Sequence, residues 1–357
     1  MPNGSAVAEF ERRFAEYVGA RFAIALCNGT ATLHTALVAL GVKPGDRVAV
    51  PPLTMASTTI AVLQAGAVPV FCDVDPDTWL KVWRGGVLVN HEWSAEIPVS
   101  LYGLHTPVSL TSAIDDAAQT LRPHSGCAFT SYSFQASKIL ALGEGGMLVT
   151  NDEALATRAR QFSSLGYDMR PDQPRIDPAV LKSPDYARHH LPVSWNYRMN
   201  DLTAREALLV LPGADLLLAA RRASADLYRQ AVAGCSWITP QYVPEGWSHD
   251  MWSYAVALES ADLWHPFVDA IERHCGERAY AAWRLTYQEP AFQHLSSVER
   301  EVEDWTGRPG DIERLPIGIC PIAESLQPRL VCAQTNNLAS AERNAEAWRK
   351  AIKEVGG

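Results

Sequence analysis

The first half of the chain alternates short apolar runs with segments whose apolar residues recur at helical spacing. Each run is short enough for a buried strand. The runs lie at 22–26, 47–50, 68–72, 97–100, 113–116, 128–131 and 147–150. Helical periodicity begins at Phe10 and returns at 30–40 and 54–64. Strands that alternate with helices predict an α/β fold, with a mostly parallel sheet sandwiched by helices. In such sheets ligands bind at the carboxyl ends of the strands.

The second half of the chain changes character. A helical segment at 217–232 carries Arg221, Arg222 and Arg229, which we place on its polar side. The other predicted elements are a strand around 252–258 and helices at 263–274 and 340–355. This mixture indicates a smaller α+β unit. The two predicted domains are a large one, 1–215, and a small C-terminal one, 216–357.

Composition and charge exclude several classes of function. The 357 residues carry a net charge of −9, so the basic surface of a general nucleic-acid or anionic-membrane binder is missing. No apolar run reaches the ~18 residues of a membrane span, and the first residues lack the pattern of a secretion signal. The seven cysteines form no CxxC pair, which favours free thiols over disulfides or a metal site. We expect a cytoplasmic protein without metal, nucleic acid or membrane.

The first candidate site follows the first predicted strand. Asn28, Gly29 and Thr30 lie where a helix begins. The free N–H groups and the positive dipole end of a helix N-terminus can hold a phosphate. Gly29 would let the anion approach the backbone, and the Thr30 hydroxyl could donate to it. The alternative is that Thr30 only caps the helix.

Two acidic residues end a later apolar strand. Asp115 and Asp116 would repel each other if both were buried and charged. One of them should therefore be exposed, or paired with a cation such as a protonated pyridine nitrogen. Gln119 follows closely. The alternative is an aspartate that caps the next turn.

A lysine lies between a predicted strand and a glycine-rich run. Lys138 comes five residues after Ser133, and the glycines lie at 143–146. In a site of low dielectric the pKa of a lysine falls, and the neutral amine can form a Schiff base. Ser133 is placed to contact the same ligand. A solvated surface lysine is the alternative.

A fourth cluster, at 194–201, concentrates amides, a guanidinium and aromatic rings in one short segment before a helix. It contains Asn196 and Arg198. The alternative is a surface loop with an asparagine turn. Each of the four clusters has such a plain explanation when taken alone, so their order along the chain is the stronger signal.

That order resembles the DegT/StrS family of sugar aminotransferases, which are fold type I enzymes that use pyridoxal 5′-phosphate (PLP). The matching motifs are NGT at 28–30, DDAAQ at 115–119, SFxxxK at 133–138, GEGG at 143–146 and NYRM at 196–199. The resemblance covers nearly the whole chain. It implies that Lys138 forms the aldimine with the cofactor and that Asp116 pairs with the pyridinium nitrogen. It also implies that Gln119 lies beside the ring hydroxyl. The implied phosphate contacts are Gly29, Thr30 and Ser133.

The resemblance also implies a homodimer. Asn196 matches an asparagine that reaches the phosphate of the cofactor in the neighbouring subunit. Arg198 lies in the same motif and is a candidate substrate contact.

A narrower resemblance points to the branch that acts on cyclitols, which includes scyllo-inosose aminotransferases and aminohydroxybenzoate synthases. It rests on the segments 133–138 and 320–324. Arg284 and Tyr287 occupy a segment where that branch has an Arg and an aromatic residue close to the substrate. We treat both as substrate candidates, with an ordinary amphipathic turn as the alternative.

The chain departs from the family pattern around the cofactor. Met55 stands where an aromatic residue usually stacks on the cofactor ring, and a sulfur against a ring is a workable substitute. Pro212 and Gly213 interrupt a segment that is usually continuous helix. These changes leave the implied cofactor residues in place, so they bear more on the substrate than on PLP.

The implied reaction is a transamination in two halves. Lys138 holds PLP as an internal aldimine, glutamate or glutamine displaces it, and the freed amine moves a proton from the donor to the cofactor. A keto-sugar or ketocyclitol then accepts the amino group, in antibiotic or polysaccharide biosynthesis by analogy. One alternative is a catalytically inactive or regulatory PLP-binding relative. Another is a PLP-dependent sugar dehydratase, in which histidine replaces the lysine.

Overall fold

The computed structural model of the chain describes residues 6–82, 93–105, 110–167, 193–293 and 318–356. Within them the first half forms one sheet in the order β3-β2-β4-β5-β6-β7-β1. Its strands are β1 (Phe22–Leu26), β2 (Arg47–Val50), β3 (Val68–Phe71), β4 (Ala95–Glu96), β5 (Ile114–Asp116), β6 (Phe129–Ser133) and β7 (Gly146–Thr150). Strand β7 runs antiparallel to both neighbours, and the other adjacent pairs are parallel. The predicted α/β fold with a mostly parallel sheet is confirmed.

Helices cover this sheet. They are α1 (Ala6–Val18), α2 (Gly29–Leu40), α3 (Ser57–Gln64) and α4 (Glu153–Ser163), and α5 (Asp201–Val210) packs on α1. In α1, Phe10 and Phe14 are fully buried and make edge or tilted ring contacts with Phe134 and Tyr132, which lie at the end of β6. Helix α2 contacts β6 and β7 as well as α3 and α4, which explains why it is apolar on most of its surface.

Several predicted elements have different bounds, and for two of them the structure gives the physical reason. The strand predicted at 97–100 is β4, two residues earlier, and pairing returns only as a single bridge from Val99 to Asp116. Pro98 lies between and has no N–H to donate to the ladder, which accounts for the break. The helix predicted from residue 54 begins at Ser57, because periodicity does not separate a helix from the turn that leads into it.

The second half contains an antiparallel sheet in the order β10-β11-β9-β8. Its strands are β8 (Ile238–Pro240), β9 (Ser253–Leu258), β10 (Tyr280–Ala281) and β11 (Leu330–Gln334). The helices are α6 (Ala214–Val232), α7 (Trp264–Cys275), α8 (Pro290–Gln293), α9 (Pro321–Leu326) and α10 (Leu338–Val355). Helix α10 contacts both α6 and α7, and together they cover the sheet with an apolar core around Phe267 and Trp348. The predicted α+β character of this half is confirmed.

The placement of Arg221 on the polar side of its helix is wrong. Its side chain is buried, whereas Arg222 and Arg229 are exposed as expected. The spacing explains the error. Arg221 is three residues after the buried Leu218 and seven before the buried Tyr228, so it shares their face of α6.

The two halves share one apolar core. A single cluster contains Phe14 and Tyr132 from the first half, and Trp252 and Leu330 from the second. The division of the chain after residue 215 therefore stays a prediction. The interruption at Pro212 is small, since one turn of 3₁₀ helix over Leu211–Gly213 connects α5 to α6. Among the described residues, no helix combines the length and apolar character that crossing a membrane requires.

Candidate active site

The four clusters meet at one edge of the large sheet. Strands β1 and β6 end there, and the antiparallel β7 begins there at Gly146. Gly146 is opposite Leu26 on one side and Ser133 on the other. The start of α2 and the end of β6 are therefore neighbours. The loop that contains Lys138 connects β6 to β7 at this same edge.

The start of α2 forms a cradle of backbone. A Cβ atom placed on Gly29 would lie 2.9 Å from Cβ of Ser133 and 3.2 Å from its Oγ, so only glycine allows this approach. Asn28, not Thr30, caps the helix, since its side chain accepts from the N–H of Ala31 at 2.8 Å. The N–H groups of Gly29 and Thr30 have no partner within the helix. With the hydroxyls of Thr30 and Ser133 nearby, they can hold an anion.

Asp116 is buried at the end of β5. The Thr58 hydroxyl donates to its Oδ2 at 2.8 Å, and the N–H of Ala118 donates to its Oδ1 at 3.2 Å. Burial raises the pKa of this carboxyl, the two hydrogen bonds oppose that rise, and the charge of Lys138 opposes it too. A buried carboxylate with this pattern suits a further cation, such as a protonated ring nitrogen.

Asp115 is buried as well, and no cation pairs with it among the described residues. The predicted pairing of one acid with a cation therefore concerns Asp116, on which the charge of Lys138 acts. Its Oδ1 accepts from the Ser100 hydroxyl at 3.5 Å, and its Oδ2 has no hydrogen-bond partner there. Burial raises the pKa of Asp115 to about 7, and the adjacent charge of Asp116 contributes to the rise. Asp115 therefore holds its proton below about pH 7, and that proton relieves the repulsion between the two acids.

Gln119 is buried and fixed by backbone. Its Oε1 accepts from the N–H of Tyr102, which leaves the NH₂ end of the amide as a donor to other groups. Tyr102 has a φ of 59°, a left-handed conformation that costs a non-glycine residue ~1–3 kcal/mol. Gly103 follows with a φ of 101°, and a Cβ there would lie 2.9 Å from the N atom of Trp252. Gln119 thus stabilises a strained turn at the site.

Lys138 is half-buried in the loop between β6 and β7. Its Nζ lies 4.8 Å from the ring centroid of Trp252. Burial lowers the pKa of the Lys138 ammonium, and the charge of Asp116 opposes that shift. The alternative of a solvated surface lysine is therefore wrong, and a larger share of the amine is neutral than in an ordinary lysine.

Sequence reasoning missed two residues that contact the lysine loop. The Trp252 indole N–H donates to the Ser137 carbonyl at 2.8 Å, and Arg221 donates to the Lys138 carbonyl at 3.3 Å. The helical spacing of Arg221 with Leu218 could have placed it on the buried face. No local pattern could have connected Trp252 to a lysine more than a hundred residues earlier.

Comparison with known proteins gives the family. The model of the DegT/DnrJ/EryC1/StrS aminotransferase family matches residues 1–306. The chain belongs to this family. It is 35% identical over 276 residues to the GDP-perosamine synthase of Caulobacter vibrioides. The aligned region covers 71% of the chain and 70% of that protein. It is 31% identical over 322 residues to the putative PLP-dependent aminotransferase EpsN of Bacillus subtilis, covering 82% of the chain and 77% of that protein.

The likeness in fold extends over nearly all of the chain. The solved structure of 3-amino-5-hydroxybenzoic acid synthase superposes with a TM-score of 0.78, covering 98% of this chain and 91% of that one at 24% identity. That likeness shows the fold alone, so the narrower resemblance to the cyclitol branch stays a prediction. The expected PLP fold type I architecture is confirmed.

The chain is a PLP-dependent transaminase, as its relatives are. The residues at the sheet edge fit the cofactor. The backbone cradle at Gly29 suits its phosphate, the buried acceptor Asp116 suits its ring nitrogen, and the NH₂ of Gln119 suits its ring hydroxyl. Lys138 supplies an amine with a lowered pKa.

The remaining predicted residues lie around this edge in several environments. Met55 is exposed just before α3, and its Sδ accepts from the N–H of Ser57. Asn196 is exposed, and Arg198 is half-buried beside β1, where it forms a bridge with Leu26. No described contact of these residues identifies a ligand. Their roles stay predictions.

Arg284 and Tyr287 differ from each other. Arg284 is exposed and donates to the carbonyl of Gln288 at 3.5 Å. Tyr287 is buried, packs edge-on against Phe71, and donates its hydroxyl to Glu324. Both residues lie in or beside a 3₁₀ turn over Thr286–Gln288. These contacts give Tyr287 a structural role whether or not it also contacts the substrate.

Proposed function

We propose that the enzyme transfers an amino group from glutamate or glutamine to a keto-sugar, with Lys138 as the residue that binds PLP covalently. The observation that carries this proposal is the meeting of a half-buried Lys138 and a buried Asp116 at one sheet edge. The similarity to a GDP-perosamine synthase and to EpsN supports a sugar as the acceptor.

Each residue at the edge has a stated task in this proposal. When bound, PLP accepts the electrons of a C–H bond that breaks next to nitrogen. The Lys138 amine takes and returns the proton of that bond, which requires it to be neutral when the step begins. Asp116 keeps a proton on the ring nitrogen, and a charge-assisted hydrogen bond of this kind contributes ~1.5–3 kcal/mol. Gly29, Thr30 and Ser133 hold the phosphate.

The other predicted contacts surround the ring and the substrate. With PLP bound, Met55 would place its sulfur against the cofactor ring, and the NH₂ of Gln119 would donate to the ring hydroxyl. Arg198 and Arg284 are the cationic candidates for substrate recognition. A ketocyclitol is a second candidate acceptor, which the segments at 133–138 and 320–324 favour.

The site is completed by a second copy of the chain in this proposal. Leu202, Leu209 and Leu216 are spaced seven residues apart, and each exposes more than three quarters of its surface. This stripe, with the exposed Trp195 beside Asn196, is typical of an interface between subunits. A homodimer built on it would carry Asn196 towards the phosphate of the neighbouring subunit.

Borohydride reduction of the PLP-loaded enzyme, followed by peptide mass spectrometry, tests the role of Lys138. We expect the cofactor on Lys138 in the wild type, none in Lys138→Ala, and an unchanged result in Lys43→Ala, which alters an exposed lysine. Cofactor found on another lysine would overturn the proposal.

Absorbance spectra before and after addition of glutamate or glutamine test the reaction itself. Conversion to the amine form of the cofactor by one donor identifies that donor. Keto-sugars and ketocyclitols are then compared as acceptors that reverse the change. A spectrum that ignores both donors would favour an inactive or regulatory relative.

A further inference from the structure

Trp252 touches the lysine loop at two points. It lies immediately before β9, in the second half of the chain. Its indole N–H donates to the carbonyl oxygen of Ser137 at 2.8 Å, and its ring centroid lies 4.8 Å from Nζ of Lys138. One side chain therefore restrains the backbone before the lysine and contacts the lysine amine as well.

Arg221 holds the other side of the same loop. Its Nη2 donates to the carbonyl oxygen of Lys138 at 3.3 Å, and its Nη1 donates to the carbonyl oxygen of Trp252 at 2.9 Å. The Nη1 atom also reaches the Thr335 hydroxyl at 3.2 Å. Burial lowers the pKa of Arg221 to about 10. Burying a guanidinium that contacts only neutral oxygens is energetically unfavourable. The contacts of this one connect Lys138 to Trp252.

The Trp252 ring is itself held in place by other rings. It stacks on Trp283 at a centroid distance of 5.8 Å and an angle of 15°, and Trp283 stacks on Tyr102 at 6.3 Å and 8°. Tyr102 is the residue fixed by Gln119. The row of three rings, which we call the aromatic stack, prevents Trp252 from turning away from the lysine.

We propose that Trp252 and Arg221 are positioning residues that hold the Lys138 backbone on both sides and keep its amine in line for proton transfer. The inference rests on the proposed function, in which Lys138 moves the proton. The loop is anchored by the buried Phe134, Ile139 and Leu140, but residues 135–137 next to the lysine are exposed. Trp252 and Arg221 therefore add restraints where side-chain burial is absent. A displacement of ~1 Å at a reacting group can cost ~100-fold in rate.

The charged groups that face the lysine are Asp116, at the end of β5, and Arg221, from α6. Trp252 adds no charge, but its ring covers the amine and excludes water. Its face also attracts the ammonium form. Removing the ring therefore has two opposing effects on the pKa of the amine. Re-entry of water raises it, because burial lowers the pKa of Lys138 in the folded chain, and loss of the attraction to the ring lowers it. We expect the first effect to be the larger in Trp252→Leu.

Three variants test the proposal. Trp252→Phe keeps an aromatic face and removes the hydrogen bond to Ser137. Trp252→Leu removes both and leaves room for water. Trp264→Phe is the matched control, since the Trp264 indole N–H donates to the Leu330 carbonyl at 2.9 Å, away from the lysine. Thermal unfolding of all three measures the general cost of losing a tryptophan.

The first readout uses the chain without cofactor. The rate of reductive methylation of Lys138 is measured by mass spectrometry at a series of pH values. The pH at which the rate is half of its maximum is then compared between the variants and the wild type. Easier access of the reagent changes the maximal rate but not this midpoint pH. We expect Trp252→Leu to move the midpoint upward, and Trp264→Phe to leave it unchanged.

The second readout is the first half-reaction with α-deuterated donor. We expect Trp252→Phe and Trp252→Leu to slow it by about 10- to 100-fold with a larger isotope effect, because proton transfer becomes limiting. Variants of Trp252 that match Trp264→Phe in both readouts would overturn the inference.

Borohydride trapping distinguishes failure of this inference from failure of the proposed function. Cofactor found on another lysine would reject the role of Lys138, whatever the Trp252 variants show.

Discussion

Gly29 and Ser133 are so close that a single methyl group cannot be placed between them. The Cβ of an alanine at position 29 would lie 2.9 Å from Cβ of Ser133, although the two residues belong to different elements more than a hundred residues apart. Gly146, opposite Ser133 in the sheet, is more tightly constrained, since a Cβ there would lie 2.6 Å from the Asn28 carbonyl oxygen. The proposed phosphate cradle thus depends on the absence of side chains at two positions.

Gly29→Ala should weaken PLP binding, because Ser133 must move away to make room for the methyl group. We expect about a tenfold rise in the Kd for PLP, equivalent to ~1.4 kcal/mol, with a small change in Tm. Fluorescence titration of the chain with PLP measures it. Gly213→Ala is the control, since a Cβ there meets nothing within 4 Å. Equal affinities for the two variants would reject the cradle.

Asp116→Asn should reduce turnover much more than stability. The amide oxygen can still accept a hydrogen bond, while the Thr58 hydroxyl can rotate to accept from the new NH₂, so the fold is kept. The charge that would keep a ring nitrogen protonated is lost. We expect kcat to fall about 10- to 100-fold, the value of one charge-assisted hydrogen bond. Stopped-flow measurement of the half-reaction with the amino donor checks this, and an unchanged rate would contradict the role of Asp116.

Much of the large sheet could be predicted from the sequence because its strands are short, apolar and bounded by turns. The strand at 97–100 was misplaced for a physical reason, since a proline within an apolar run interrupts pairing without making the run less apolar. Arg221 is buried in spite of its charge, because its helical spacing puts it on the same face as Leu218 and Tyr228. In both cases the local pattern contained the information that decides the structure.

The residues of the candidate site also fall into those that local sequence patterns predict and those that only tertiary packing determines. Gly29, Asp116, Ser133 and Lys138 were predictable because each lies at or just beyond a strand end, and the carboxyl ends of strands gather at one edge. The contacts of Trp252 with Lys138 could not be predicted, because they depend on how the second half packs against the first. The fixed turn at Tyr102 also depends on a tertiary contact, the hydrogen bond to Gln119.

Asp115 should make the stability of the protein depend on pH. Its pKa is about 7 in the folded chain against an ordinary value of 3.8, so the folded state binds its proton more tightly than the unfolded state does. Stability must therefore fall as pH rises from about 4 to about 7, by at most about 4 kcal/mol from this group.

Asp115→Asn removes that dependence. The free energy of unfolding of the variant, relative to wild type, should rise between pH 4 and pH 7, and urea denaturation across this range measures it. Asp77→Asn, which changes an exposed carboxylate, is the control. If the two variants show the same pH profile, Asp115 is ionised in the folded protein and the explanation for the paired acids is wrong.

Leu209→Asp should separate the proposed dimer and weaken cofactor binding at the same time. A charge in the middle of the leucine stripe would be buried without a partner in the interface, which is strongly unfavourable. We expect monomers by sedimentation at micromolar concentration, with a PLP affinity that falls as Asn196 of the neighbouring subunit is lost. Asn196→Ala should lower the affinity by about 10- to 100-fold while the dimer persists. Leu338→Asp, at another exposed leucine, should remain dimeric. A dimer that survives Leu209→Asp would show that the stripe is not the interface.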